Sequence, residues 1–539
     1  MDRRVWLAII IGILLRTILI NSPMVDAFGS MRQTYTASYT AYLIENGVNA
    51  TELLRAPSIV KNNISLEVPI YNLLTVGLVR IIGEHDYVYR LTSLIYWIPG
   101  AFYLAYLLGR IFSKRETIYI IWVYVLLPLS IFMGHYYHPE ILALQLSSIV
   151  VFHFYFFLEK QKPLDLIISL VSLALILFVR VTYFHLYFAL FILAFSRYKW
   201  RLFIKPWAYL FILPLIPFVW WMLSMGNLMS TIRATQFLGD FPMRFTPGFL
   251  GMIFFHRLGG LTLSPIGFPL FILALASAKT RANKSIEFAW LYSTIAFVMI
   301  VARGNFIHPH YQTALLIPFS IFIGRFLSQV AENRIVDSWY ERWRVIPMEV
   351  KAAALCIYIF FDALAIILFF NYTWDVNQLL ILFDNLNVKA LVFIFALSQI
   401  ALFPFIMWVW RKKERSGKAP FNRITLLLLL LIFFSGLLVI HPMYRPDTDF
   451  LKAAKSVSDN LDKNASIVFS GKKDDSNPFM FYSVQRHGWS YNLIAFHSTG
   501  WEELKKYKND GAEYLAVMKK NRCLASDHPM SKEIISYLD

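Results

Sequence analysis

The chain has 539 residues, of which 58% are hydrophobic and only 16% charged, with a formal net charge of +17. Soluble domains carry about 25% charged residues, so this composition, with a mean hydropathy of +0.53, excludes an ordinary water-soluble fold. It also argues against nucleic acid as a partner, because the basic residues cluster between apolar runs, as in loops beside anionic lipid. The two cysteines, Cys356 and Cys523, stand far apart and form neither a disulfide framework nor a CxxC metal motif.

In chain order, Met1-Asp2-Arg3-Arg4 precedes an apolar run to Ile20 with no small-residue cleavage site after it, which predicts an uncleaved first helix. A membrane helix needs about 20 apolar residues. Candidate spans are 5–20, 87–110, 117–134, 138–158, 164–180, 182–196, 203–223, 262–278, 285–302, 310–327, 349–371, 387–410 and 423–441, about 13 in all. With Arg3 and Arg4 inside, the inside loops are 110–116, 159–162, 197–205, 279–284, 325–351 and 411–423, and each carries at least two Lys or Arg. Counting 67–83 as a further span would invert every later loop. That segment is therefore read as an interfacial helix in a long first external loop, 21–86, together with a short amphipathic helix over 34–46 that Asn46-Gly47 closes.

The other outward segments are 135–139, 180–182, 223–261, 303–309, 371–386 and everything after His441. From 442 to 539 the long apolar runs stop and Lys, Asp, Asn and Ser rise, which predicts a small extracytoplasmic α/β domain. Within it a strand is expected over 466–470, a turn over 471–477 and a helix or strand over 479–485. The fold class is thus a polytopic α-helical membrane protein, with 1–441 as the membrane domain, 224–261 as an external loop over the site, and 442–539 as the extramembrane domain. No internal repeat is visible.

The ionisable residues sort to one side. Asp26, Arg32, Glu67, His138, Glu140, Arg180, Arg233, Arg244, Arg257, Arg303, His308 and His310 all fall in outward segments or near outer helix ends, whereas the span middles are nearly free of charge, Asp362 being the main exception. A transporter is expected to place such groups at mid-membrane, on broken helices in repeated halves. Asp26, directly after the first span, has a plain reading as the cap of the next helix or the partner of Arg32. Its functional reading is a general base, which needs a carboxylate fixed beside its acceptor.

The residues also carry a resemblance. Asp26, then Arg32-Gln33-Thr34-Tyr35-Thr36-Ala37 and Asn46-Gly47, resembles the opening of a group of transferases in the GT-C glycosyltransferase superfamily, family 39-like, related to protein O-mannosyltransferases and the lipid A aminoarabinose transferase. Glu67-Val68-Pro69-Ile70-Tyr71, His138-Pro139-Glu140, Arg303 with His308-Pro309-His310-Tyr311-Gln312, and Tyr482 to Trp489 are similar to further elements of that group, in its order. The chain departs from the pattern at Ala27, where O-mannosyltransferases carry Glu, and at Phe28, where related sequences often carry His.

The resemblance implies a GT-C fold, a polyprenyl-phosphate sugar as donor, and a glycan, lipid or protein acceptor on the extracytoplasmic face of what is expected to be a prokaryotic plasma membrane. It implies Asp26 as the catalytic carboxylate, with Glu67 and Glu140 flanking the same cavity. Substrate contacts are expected from Arg32, Gln33, Glu67, Tyr71, Glu140, Arg303, His308, His310 and Tyr311. A polyprenyl chain stays in the bilayer, so its phosphate meets the protein at the interface, where an arginine fork suits it. Arg180 interrupts a 33-residue apolar stretch at that level, with snorkelling as its plain alternative, and Arg233, Arg244 and Arg257 occupy the long loop. The sequence identifies no cofactor. A divalent metal on Asp26, Glu67 and Glu140 is chemically admissible, but no motif fixes its spacing. Two other classes remain open: a transporter or flippase of lipid-linked glycans, and a structural subunit whose outer carboxylates only cap helices.

Overall fold

The computed structural model describes residues 1–24, 30–55, 59, 67–224, 241–278, 286–332, 421–446, 448–462, 464–470, 479–484, 486–491 and 500–517. The chain divides into two compact units. One comprises Met1–Leu19, Ser93–Tyr136 and Glu140–Met443; the other comprises Ile20–Thr92, Tyr137–Pro139 and Tyr444–Asp539. The segment expected as the first external loop thus groups with the C-terminal segment, where the sequence reading had placed it in the 1–441 domain.

The first unit is helical wherever its secondary structure is regular among the described residues. Six helices of the described chain are long and apolar enough to cross a membrane: Asp86–Gly109, Glu140–Lys160, Val181–Ile204, Pro206–Ser224, Pro309–Ala331 and Arg423–Ile440. The pair Pro247–Thr262 and Ser264–Ser277, bent by 108°, makes a seventh if taken as one span, and Pro163–Val179 and Ile286–Ile300 are shorter apolar helices. The expected spans 349–371 and 387–410 lie outside the described residues.

Local sequence explains where these helices start and break. Asp2 caps Arg3–Thr17 by accepting from the Arg4 amide at 2.8 Å. Ser113 and Glu116 form a reciprocal capping box at the start of Lys114–Leu126. The expected span 117–134 is two helices, Lys114–Leu126 and Pro128–Met133, because Pro128 drives Leu127 out of helical geometry. Arg16, fully buried, secures this break: it donates to the carbonyls of Gly12 (2.9 Å) and Ser130 (2.8 Å) and lies 3.8 Å from the centre of the Trp97 ring. Gly324 brings Leu316–Ala331 so close to Lys114–Leu126 that an added Cβ would sit 2.4 Å from the Ile120 Cα. Only glycine permits that approach.

Segment 224–261, read from sequence as a loop, is helical from Phe241 to Phe245 and from Pro247 onward. Thr246 caps the second piece, accepting from the Phe249 amide at 3.2 Å, and Met252–Thr262 widens into a π-helix that buries Met252, Ile253 and Leu261. Burying those apolar side chains outweighs the helix-breaking tendency of the Gly and Pro residues that suggested a loop. The sharp bend follows at Ser264, whose φ of +70° is rare for a residue with a side chain.

In the second unit, Ser30–Asn46 and Ile70–Ile82 are helices, at the places expected for the two interfacial elements, and Gly47 ends the first with φ +82°. The C-terminal part is a three-stranded parallel sheet, order β2-β1-β3, with β1 Ile467–Ser470, β2 Gly488–Ser490 and β3 Tyr514–Val517. Thr448–Asn460, Phe479–Val484 and Gly500–Asn509 are its helices. Phe450, Ala454, Ile467, Phe469 and Phe481 form one core, which Ile59 joins; Val468, Trp489, Tyr491, Leu504 and Tyr507 form another. The expected turn over 471–477 lies outside the described residues.

Candidate active site

Asp26 and Arg233 lie outside the described residues. Of the remaining sequence-predicted groups, Arg32, Gln33, Glu67 and Tyr71 gather in the second unit and Glu140, Arg180, His308, His310 and Tyr311 in the first.

In the second unit, Arg32 is the centre. From the first turns of Ser30–Asn46 its Nη2 donates to Glu67 Oε1 at 2.8 Å and its Nε to His138 Nε2 at 3.1 Å. Arg32 and Glu67 keep 21% and 18% of their side-chain exposure, so this pair is reachable. An arginine Nε can only donate, so His138 Nε2 is the acceptor of this contact. One turn along, the Tyr35 ring lies 5.1 Å from the guanidinium.

A buried hydroxyl network holds this cluster in place. Tyr137 OH contacts Thr40 Oγ1 at 2.7 Å and Thr75 Oγ1 at 2.9 Å, and Asn72 donates to the Thr36 carbonyl and to Thr40 Oγ1. Gln33, fully buried, accepts from the Tyr137 amide at 3.0 Å and donates to the Met24 carbonyl at 3.2 Å. Gln33 is therefore a bracket between two stretches of backbone. Tyr71 is buried with its ring 5.2 Å from that of Tyr137.

The backbone just before Asp26 is held from further directions. The Met24 amide donates to Asp86 Oδ2 at 3.2 Å, and Arg90 donates to the Pro23 carbonyl at 2.8 Å. The other Asp86 oxygen accepts from Tyr482 OH at 2.7 Å. Burial, then the charge of Asp86, holds the Tyr482 phenol well above its ordinary range, so it stays a donor. Sequence reading missed Asp86, Asn72, Thr75 and Tyr137. Tyr482 stood in a quoted motif, but nothing in its spacing indicated a partner nearly 400 residues away.

In the first unit, Glu140 begins Glu140–Lys160, and Arg180 stands at the break between Pro163–Val179 and Val181–His185. Arg180 Nε lies 2.5 Å from Glu140 Oε2, with side chains 5% and 1% exposed; the contact is a close ion pair more than an aligned hydrogen bond. The Tyr311 ring is 5.5 Å from the Arg180 guanidinium. Tyr311 in turn packs beside His310 at 4.9 Å and His308 at 5.4 Å. The Pro309–Leu315 turn that carries them approaches Ala302–Ile307 at Gly304, where a Cβ would come within 2.8 Å of Tyr311.

The other arginines differ in setting. Arg244 donates to the Met299 and Ile300 carbonyls at the end of Ile286–Ile300, and Arg257, 2% exposed, donates to the Phe306 and Ile307 carbonyls. Both donate to carbonyls that a helix end leaves unbonded. Arg303 is exposed. Among the described residues no three His, Cys, Asp or Glu side chains converge to hold a metal ion; Glu67 faces Arg32 and Glu140 faces Arg180.

Residues 67–221, which include Glu67, Tyr71, Glu140 and Arg180, match the family described as dolichyl-phosphate-mannose-protein mannosyltransferase. Among solved structures, the chain is similar to ArnT from Cupriavidus metallidurans bound to undecaprenyl phosphate, with 13% identity, 95% of this chain and 89% of that chain covered, and a TM-score of 0.56. The apo state of the same protein gives 13% identity, coverage of 93% and 88%, and a TM-score of 0.52. At such identity the likeness is one of fold. No curated protein matches the chain.

Proposed function

We propose that this chain, an integral membrane protein of the GT-C glycosyltransferase superfamily, moves a sugar from a polyprenyl-phosphate donor to a hydroxyl of a glycan, lipid or protein acceptor, with inversion, on the extracytoplasmic face. The observation that carries this reading is the Glu140–Arg180 pair: a guanidinium nine-tenths buried at a break between apolar helices, and poised against a carboxylate. A buried cation is costly in such a place, and a lipid-borne phosphate at the interface gives it a task. The similar ArnT structure holds undecaprenyl phosphate, which supports that class of donor.

Asp26 takes the proton of the acceptor hydroxyl. The freed oxygen forms a bond to the anomeric carbon, the bond from that carbon to the phosphate oxygen breaks, and its electron pair leaves with the polyprenyl phosphate. Charge grows on that phosphate oxygen in the transition state, so a cation already in place, Arg180, favours the transition state over the ground state. Arg32, whose donors are already ordered by Glu67 and His138, and Glu140 contribute polar contacts to sugar hydroxyls. The bonds to Pro23 and Met24 support the rigidity a base at position 26 needs.

The test is transfer from radiolabelled polyprenyl-phosphate sugar to membrane acceptors by wild type and Asp26→Asn. Loss of transfer of about 10²-fold or more is expected for a missing general base. Unchanged transfer by the variant removes that role from Asp26, and no transfer even by wild type favours movement of the lipid-linked glycan instead.

A further inference from the structure

A second built feature lies in the first unit, in loops that the sequence assigns to the inward side. Helices Glu140–Lys160 and Pro163–Val179 are joined by a reversal at Gln161, and Leu186–Tyr198 ends in a reversal at Lys199. Both residues adopt φ +52°, a left-handed conformation uncommon for side chains of this kind. The two reversals are tied together: the Gln161 side-chain Nε2 donates to Tyr198 OH at 2.9 Å as well as to the Phe157 and Leu158 carbonyls. Trp207 packs against Tyr198, Phe154 and Phe157. Strained backbone that is fixed in this way calls for a reason.

The surface these turns present is basic and apolar at once. Lys160, Lys162, Arg197, Lys199 and Arg201 are exposed and Lys205 half-buried. Lys199 and Lys205 rest over the rings of Phe195 (5.9 Å) and Tyr198 (5.3 Å). The Glu159 carboxylate is paired with Arg197, and Asp165 is buried against His153. Between the cations Trp200 and Ile204 are each 76% exposed. Arg197 also lines a cavity of about 420 Å³, together with Tyr155, Leu158, Glu159, Leu193 and Ser196. Its polar rim and apolar flank match a molecule with a charged head and a hydrocarbon tail.

We propose that this platform is a binding site for one anionic glycerophospholipid of the facing leaflet. The cations of the Lys199–Ile204 turn, with Lys205, hold the head-group phosphate, Trp200 and Ile204 insert at the interface, and an acyl chain runs over Leu158 and Leu193. Charge complementarity selects the occupant: a zwitterionic lipid gains little from a surface with this excess of cations. The site is independent of the sugar-transfer reading.

The test is native mass spectrometry of the purified full chain with phosphatidylglycerol or phosphatidylcholine of identical acyl chains. Wild type should retain one phosphatidylglycerol molecule in preference to phosphatidylcholine by at least tenfold. The triple variant Lys199→Gln, Arg201→Gln, Lys205→Gln removes three near-surface cations, each worth about 1 kcal/mol, and should lower that retention by roughly a hundredfold. Ser196→Trp, which closes the cavity from its rim, should weaken the single adduct, while Arg3→Gln, at an exposed cation outside the platform, should leave it within a few fold. Equal retention of the two lipids by wild type would overturn the proposal. So would an equal loss in the Arg3 variant, which means diffuse surface charge, or displacement of the lipid by an equimolar amount of glycerol phosphate.

Discussion

The Glu140–Arg180 pair separates a structural role from a substrate role because the two make opposite demands. At 2.5 Å, with side chains 1% and 5% exposed, the charges attract by about 7 kcal/mol at an effective dielectric near 20. Removing either partner alone leaves the other charge buried, at a cost of about 3–5 kcal/mol, whereas replacing both is nearly neutral. Glu140→Gln and Arg180→Gln should therefore each lower the thermal midpoint by several degrees, and the double variant should recover most of that loss. Binding of undecaprenyl phosphate, titrated against the detergent-purified protein, should move differently. Arg180→Gln removes a charge-assisted contact worth about 1.5–3 kcal/mol and should weaken binding tenfold or more. Glu140→Gln removes the anion that competes with phosphate for the guanidinium, so its affinity should rise even as its stability falls. If Glu140→Gln weakens undecaprenyl phosphate as much as Arg180→Gln does, the pair is only a structural clasp and the phosphate role of Arg180 fails.

Three further expectations rest on contacts elsewhere. Tyr482→Phe removes a donor to Asp86, the carboxylate that holds the Met24 amide, so hydrogen exchange at Met24 should quicken by roughly ten- to a hundredfold; an unchanged rate means that Asp86 needs no help from Tyr482. Gly324→Ala places a methyl group 2.4 Å from the Ile120 Cα and should destabilise the helix crossing by about 1–3 kcal/mol, visible as a lowered thermal midpoint; an unchanged midpoint refutes the close crossing. Hydrogen bonds from Arg4, then Lys114, hold the Asp2 carboxyl well below the usual carboxylate range. Because its pKa is lower folded than unfolded, the stabilisation is present above about pH 4 and fades as pH falls further. Asp2→Asn should abolish that part of the acid dependence, measured as thermal midpoint against pH.

What was legible in the sequence follows from the range of the physics involved. Apolar length, caps and prolines act within one helix, so the helices at 70–82, 86–109, 140–160 and 163–179 lie where the apolar runs and their polar boundaries suggested. The helical stretch 247–262 was not legible, because its Gly, Pro and Arg residues give a loop signal locally and are overruled by burial against other elements. Site residues divide in the same way. Arg180 stood out because a charge inside a long apolar run must have a partner or a purpose, and the structure supplies the partner, Glu140. Arg244 and Arg257 looked equally suited to phosphate, yet each is bonded to carbonyls about 50 residues away, a demand that appears only once those helix ends are brought near. Tyr137 and Asp86 gave no signal at all: a tyrosine beside a tyrosine and an aspartate before a helix are commonplace. Their importance comes from convergence, two helices on one hydroxyl and residues 24 and 482 on one carboxylate. A single sequence shows which residues have strong chemical needs, and the fold decides which of those needs are met by the chain itself. At Arg180 the partner the chain supplies is a carboxylate, so a phosphate at that guanidinium has to take over the role of Glu140.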